Sequence, residues 1–322
     1  MFSLVIPVYN NENNIPLLLE AVDYLADEID EKFEVVFVVD GSPDNSYIVL
    51  REQLPRAAFS SQLIALSRNF GAFAAIRAGM EKARGDRLAV MAADLQEQPK
   101  LVLDMQRTLV ADEFDVVYGE RTGRKDGRLS ELLSRFFWRI YRRIVSADIP
   151  QGGVDIFGCT SQVRDQILKL SERNSSLIGL LFWVGFRRKA IPYQRQKREI
   201  GTSAWTFLKK WKYMQDSIFS FSDIPITLLI GVGVTGSILS TLAGLFVLTG
   251  ALLGLITVPG YAAIMLAILF FGTLQILSIG VLGIYLWRVF ENTKGRPLHI
   301  VMSALDFSIE NLEGMEMGPI DE

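Results

Sequence analysis

Cysteine and histidine are almost missing from this 322-residue chain, which has one of each, Cys159 and His299. A single cysteine excludes an internal disulfide framework and suits a reducing compartment. A single histidine excludes a histidine-based catalytic triad and a Cys/His zinc cluster, and it is expected to be a surface residue. Charge is missing from one long stretch: no Asp, Glu, Lys or Arg occurs between Ile224 and Trp287. Missing too are a basic segment and a small-residue cleavage site near Met1-Phe2-Ser3-Leu4, so a secretory leader is not expected and the polar part should stay in the cytoplasm. There is no solenoid repeat and no low-complexity linker. A net charge of −3 together with the apolar stretch argues against nucleic acid as a partner.

What is present divides the chain. The uncharged stretch is too long for a globular core helix and accommodates two membrane spans, about 226–250 and 261–287, broken by Pro259-Gly260. Lys209, Lys210 and Lys212 precede it and Arg288, Lys294 and Arg296 follow it, so the positive-inside rule places both flanks in the cytoplasm. Gly236, Ser240 and Gly244 recur every four residues and would let helices approach closely, within one chain or between subunits of a homo-oligomer. Upstream, short apolar runs alternate with amphipathic ones. Leu4–Val8, Glu34–Val39, Gln62–Ser67, Arg87–Ala92 and Asp115–Tyr118 read as strands, and Asn13–Glu28 and Phe70–Arg84 as helices. That alternation predicts an α/β domain with a parallel sheet covered on both faces, and ligands then sit at the carboxyl ends of the strands. Two basic amphipathic stretches follow, about 130–147 and 203–223. The first suits either the membrane interface or a face of its own domain; the second, with Trp205 and Trp211, runs into the first span and suits the interface. Residues 306–322 read as an acidic, mobile tail.

Three polar clusters end the predicted strands: Pro7-Val8-Tyr9-Asn10-Asn11-Glu12, Asp40-Gly41-Ser42-Pro43-Asp44 and Asp94-Leu95-Gln96-Glu97. A ring such as Tyr9 suits stacking on a base, and a carboxylate such as Asp40 suits hydrogen bonds from base or ribose. Asp94 and Gln96 supply hard oxygen donors two residues apart, fit for Mg²⁺ or Mn²⁺ together with a diphosphate. Each cluster alone is common; their order and spacing carry the signal.

With Ser67-Arg68-Asn69-Phe70-Gly71, Ser220-Phe221-Ser222 and Lys294-Gly295-Arg296-Pro297-Leu298 added, the chain resembles the family 2 glycosyltransferases that carry the Rossmann-like nucleotide-sugar-binding fold called GT-A. Among these it is similar above all to the polyprenyl-phosphate glycosyltransferases, the dolichol-phosphate mannose synthases and bacterial GtrB-type glucosyltransferases. The resemblance implies a cytoplasmic GT-A domain over residues 1–202, a juxtamembrane helix over 203–223, two transmembrane helices over 224–290 and a cytoplasmic tail over 291–322. It implies an inverting transfer of a hexose, glucose from UDP-glucose, onto undecaprenyl phosphate by a multi-pass protein of the cell membrane. Pro7, Tyr9 and Asp40 would hold the nucleoside, Asp94 and Gln96 the metal, and Asp155 would face the reacting centre, as acceptor-orienting group or base. Three positions depart from the family pattern: Asn11 replaces a Glu, Val39 an Asp, and Ala92 the first Asp of Asp-x-Asp-x-Gln. These departures are the support for a rival reading, a nucleotide- or lipid-binding scaffold of the same fold; a second rival uses another donor such as GDP-mannose.

Arg121, Arg124, Lys125 and Arg128 form one basic run, and Arg195, Lys197 and Arg198 another. Guanidinium groups suit phosphate oxygens. Arg121, Arg195 and Arg198 are the candidates for the lipid phosphate, because both runs fall between the sheet and the apolar stretch.

Overall fold

The computed structural model describes residues 1–122, 149–150, 154–172, 176–195, 215–216, 219, 222, 224–253 and 260–307. The expected amphipathic helix at 130–147, nearly all of that at 203–223, and Arg124, Lys125, Arg128, Lys197 and Arg198 lie outside them. The chain forms two units, residues 1–211 with 297–322, and residues 212–296.

The first unit is built on an eight-stranded sheet. Its strands are β1 (Phe2–Val8), β2 (Phe33–Val39), β3 (Ser60–Leu66), β4 (Arg87–Val90), β5 (Val116–Arg121), β6 (Phe157–Thr160), β7 (Arg188–Tyr193) and β8 (Val301–Phe307), in the order β7-β5-β6-β4-β1-β2-β3-β8. β1, β2 and β3 are buried along nearly their whole length, which is why they read as continuous apolar runs rather than alternating ones. Helices α1 (Ile15–Glu28), α2 (Ser46–Gln53), α3 (Ala72–Lys82) and α4 (Pro99–Val110) link the early strands. Further on come α5 (Ser161–Lys169) and α6 (Leu177–Trp183). One hydrophobic core runs from Phe2, Leu4 and Ile6 of β1 through Leu18, Val22 and Leu25 of α1 to Val102 and Met105 of α4.

The sheet is mixed, not parallel as expected. β6 runs antiparallel to both β4 and β5, and β8 antiparallel to β3. The reversals have a use. Six strands point their carboxyl ends to one edge, and β6, entering the other way, brings the residues just before it to that same edge. The expected mobile tail is also corrected at its start. Asp306 belongs to β8, pairs in register with Gln62 and makes an ion pair with Arg84. His299, expected on the surface, keeps only 11% of its side-chain surface exposed and stands 3.3 Å from Glu81 of α3.

Beneath the sheet's other edge, buried Glu34 accepts from Ser3 Oγ at 2.7 Å, Arg84 N at 2.6 Å and Gln62 Nε2 at 3.1 Å. A buried carboxylate is tolerable when its oxygens are this fully satisfied, and here it joins β1, β2, β3 and the turn before β4.

The second unit contains α7 (Ile224–Leu252) and α8 (Tyr261–Thr293). Among the described residues one helix is long and apolar enough to cross a membrane, Phe270–Thr293, with mean hydropathy 1.7. The expected pair of spans is therefore met in part. At the end of α8, Arg288 pairs with Asp216 at 2.9 Å, and Lys294 lies over Trp287 and Phe290. That mixture of aromatic and basic groups suits the level of lipid headgroups.

α3 crosses β1 and β2 at Gly79, where an added Cβ would fall 2.3 Å from Val5 Cγ1 and 3.1 Å from Val38 Cγ2. Helix propensity favours alanine over glycine by about 1 kcal/mol, while forcing a methyl into a packed core costs about 1–3 kcal/mol. The clash should win, so Gly79→Ala is expected to lower the unfolding free energy, read by denaturant titration; a gain in stability would show that α3 moves freely away from the sheet.

Candidate active site

The loops after β1 and β2 are tied to each other by polar contacts. Asn10 N donates to Ser42 Oγ at 2.7 Å, Ser42 Oγ to Asp44 Oδ1 at 2.5 Å, and Glu12 N to Asp44 Oδ2 at 2.9 Å. Glu12 answers by accepting from Asn45 through both its backbone and side-chain amides. These bonds hold the Asp44 carboxyl below its ordinary range although burial works the other way. Asn11, the departure from the family's Glu, braces its own turn, since its side chain donates to Tyr9 O and accepts from Asn14. Tyr9 is left 42% exposed, as a stacking platform requires, with Pro7 half-buried two residues before it.

Asp40 is 3% exposed. Its two oxygens accept from Phe70 N at 2.7 Å and Gly71 N at 2.8 Å. Burial raises its pKa, and those two amides oppose the rise. Asp40 thus grips the Arg68–Gly71 loop, and Gly41 is what lets that loop come close. Gly41 has φ +55°, and a Cβ there would lie 2.2 Å from Arg68 C. The same loop carries Arg68 over the Phe70 ring at 4.0 Å.

After β4 the chain turns sharply at Leu95, which has φ 51°. A branched side chain is disfavoured in that left-handed region, and such strain gathers where a site needs a particular turn. The turn brings Gln96 N to 3.4 Å from Asp94 Oδ1, so both sequence-predicted donors sit on one bend. It also turns Glu97 inward.

Asp155 lies just before β6, and the antiparallel entry of that strand delivers it to the carboxyl edge. Its Oδ2 accepts from Tyr193 Oη at 2.8 Å and from Arg121 Nη2, and Arg195 Nη1 is 3.8 Å away. Burial works against the charge on Arg121, but the Asp155 carboxylate outweighs it and holds the guanidinium above its ordinary range. The Tyr193 phenol is raised by burial, then by Asp155 and Glu97. The structure therefore brings Arg121, Arg195 and Asp155 together. A cleft of about 310 Å³, which shares only Tyr193 with this cluster, lies between Gln98 and the start of α4 on one side and Pro192, Tyr193 and Gln194 on the other.

Sequence reasoning missed Glu97 and Tyr193. Glu97 is 1% exposed, and Arg195 Nε stands 3.6 Å from its Oε1. Neither of its oxygens accepts a hydrogen bond among the described residues. Burial, then Asp155, then Asp94 push its carboxyl up to about 7 against the pull of Arg195 and Arg121. The only advance signal was its place in the Asp94-Leu95-Gln96-Glu97 run.

For a divalent cation, the donor set on this bend is Asp94 and Gln96. Among the described residues no group of three or more His, Cys, Asp or Glu is placed to hold a metal ion. Hard oxygens of this kind and number fit a cation that takes the rest of its shell from water and a diphosphate.

Residues 3–170 match the model of glycosyl transferase family 2. The whole chain is similar to an uncharacterized glycosyltransferase of Synechocystis, at 32% identity over 99% of this chain and 98% of the relative. It is similar to a prophage-derived bactoprenol glucosyl transferase of Shigella flexneri at 31% identity, over 93% of this chain and 96% of the relative. Among solved structures it is similar to glucosyl-3-phosphoglycerate synthase from Mycobacterium tuberculosis, with a TM-score of 0.47 and 18% identity over 68% of this chain and 77% of that one. That likeness is too loose to transfer a ligand.

The raised Glu97 carboxyl makes stability depend on pH. The fold favours the neutral acid, so the residue's contribution is intact below its ordinary value of 4.5 and is lost as pH rises through about 7. Glu97→Gln, measured in EDTA, is expected to be more stable than the natural chain at pH 8 by up to about 3 kcal/mol and to match it at pH 4. A difference that does not change with pH would show that the Glu97 carboxyl titrates alike in the folded and unfolded chain.

Proposed function

The chain belongs to glycosyl transferase family 2, and from there we propose that it moves glucose from UDP-glucose onto a polyprenyl phosphate, with inversion, at the cytoplasmic face of a membrane. One observation carries this. The Asp94–Gln96 bend and the Arg121–Arg195–Asp155 cluster meet around a single buried group: Asp155, Asp94, Arg195 and Arg121 all act on the charge of Glu97. A transferase needs such a meeting, because the departing diphosphate and the attacking phosphate must flank one sugar. Similarity to a bactoprenol glucosyl transferase supports glucose and a polyprenyl acceptor.

On this reading Tyr9 stacks on the base beside Pro7. Asp40 shapes the nucleoside side by holding the Arg68–Gly71 loop. Mg²⁺ or Mn²⁺ on Asp94 and Gln96, when bound, neutralises charge on the diphosphate. Arg121 and Arg195, with Arg198 beyond the described residues, take the lipid phosphate. That phosphate has a pKa near 6 and is mostly dianionic at neutral pH, so it attacks without losing a proton to the protein. Asp155, held by Arg121 and Tyr193, orients these basic groups. α8 and α7 serve as two spans with both flanks cytoplasmic, and the small-residue spacing at Gly236, Ser240 and Gly244 supports subunit packing.

The test is thin-layer detection of labelled sugar passing from UDP-glucose, GDP-mannose and other nucleotide-sugars to polyprenyl phosphate. UDP-glucose should give lipid-linked glucose, and EDTA should stop it. Asp94→Asn should lower turnover at least tenfold. Arg195→Ala should raise the KM for the lipid about tenfold, the worth of one charge-assisted hydrogen bond, and leave the KM for UDP-glucose nearly unchanged. No transfer from any donor would favour the scaffold reading, and full turnover in EDTA would remove the metal.

A further inference from the structure

Resting on that reading, we propose that Glu97 binds the transferred sugar itself, taking hydrogen bonds from hydroxyl groups of the hexose. Its carboxylate is 1% exposed, and both oxygens are without a hydrogen bond among the described residues. Arg195 Nε, at 3.6 Å, lies beyond hydrogen-bond reach. A buried carboxylate in that condition is costly unless a ligand completes it.

The chemistry of the neighbours narrows the ligand. A phosphate dianion has only acceptor oxygens and offers no donor to the two unpartnered oxygens of Glu97. A cation would sit against Arg195, and among the described residues no metal-holding group of three forms here. A hydroxyl both donates and accepts. Donating suits Glu97, and accepting suits Arg121, whose buried Nε is likewise without a partner among the described residues. Position agrees. Glu97 follows the Asp94–Gln96 bend directly, on the diphosphate side, and its oxygen approaches Arg195, on the lipid-phosphate side. The hexose has to lie between them.

The experiment is calorimetric binding of UDP and of UDP-glucose to the full chain in detergent with Mg²⁺. Glu97→Ala is expected to weaken UDP-glucose about tenfold or more and to leave UDP unchanged, so UDP binding also certifies the fold. Glu97→Gln, which keeps one acceptor oxygen, should lose less. UDP-glucose analogues lacking one hydroxyl each locate the contact: the analogue that weakens binding to the natural chain should cost Glu97→Ala nothing more. Equal loss of UDP and UDP-glucose, or no loss of either, overturns the proposal and leaves the donor reading standing. If the natural chain binds UDP but gains nothing from the glucose, the proposal also falls. If it binds neither, the donor reading falls with it.

Discussion

Parallel strands cannot be joined by a tight turn. The chain has to cross back over a face of the sheet each time, and each crossover leaves its loop at the same edge. β1, β2, β3 and β4 obey this in turn, so the tips that hold Tyr9, Asp40, Arg68 and Asp94 converge however far apart they lie in sequence. β5 and β7 extend the rule, and β6 reverses it so that Asp155 joins from the other direction. Every functional distance in the site depends on that common edge. The apolar face contacts beneath it, from Val5 against Gly79 to the α1 and α4 stripes, fix its position.

At the edge, opposite charges are kept in two groups. At the tips of β1, β2 and β3, carboxylates are committed to backbone: Asp40 to the Arg68–Gly71 loop, Asp44 and Glu12 to each other's turns. These loops are fixed before any ligand arrives, which lowers the entropy lost on binding. On the other side the carboxylates face arginines instead. Asp155 is shared among Arg121, Tyr193 and Arg195, and Glu97 accepts no hydrogen bond among the described residues. Preorganised donors and an unfinished acceptor within one cluster describe a site arranged for a ligand with both kinds of group.

Much of this was legible in the sequence, and the exceptions have physical causes. β1 to β4 stood out because a buried parallel strand is uniformly apolar, and the polar tips stood out because they end such runs. β6 did not, because its Phe-Gly-Cys-Thr sequence makes no continuous apolar run. β7 carries Arg188, Lys189 and Pro192; among the described residues it is an edge strand paired only with β5, and an edge tolerates a proline that an interior strand would not. β8 was hidden behind the uncharged stretch. Its Ser303, Ala304 and Leu305 pattern is short, and its pairing with β3 spans most of the chain. Asp94, Asp155, Arg121 and Arg195 were singled out as candidates by chemistry and resemblance. Glu97 was not, because a glutamate beside a proline reads as a solvated helix start; its burial is a property of the tertiary packing alone. His299 was misplaced for the same reason.

The late arrival of β8 bears on how the molecule is made. A ribosome releases the amino end first, and domains usually fold as they emerge. Here the sheet cannot be finished that way: the outer edge of β3 stays open while every residue of α7 and α8 is synthesised, and it closes when residues 301–307 follow. An unpaired strand edge is a template for wrong partners. The nascent protein therefore carries that liability throughout synthesis of its apolar helices, and a version cut off before them would carry it permanently. Assembly of the catalytic unit becomes a report that the rest of the chain has been completed.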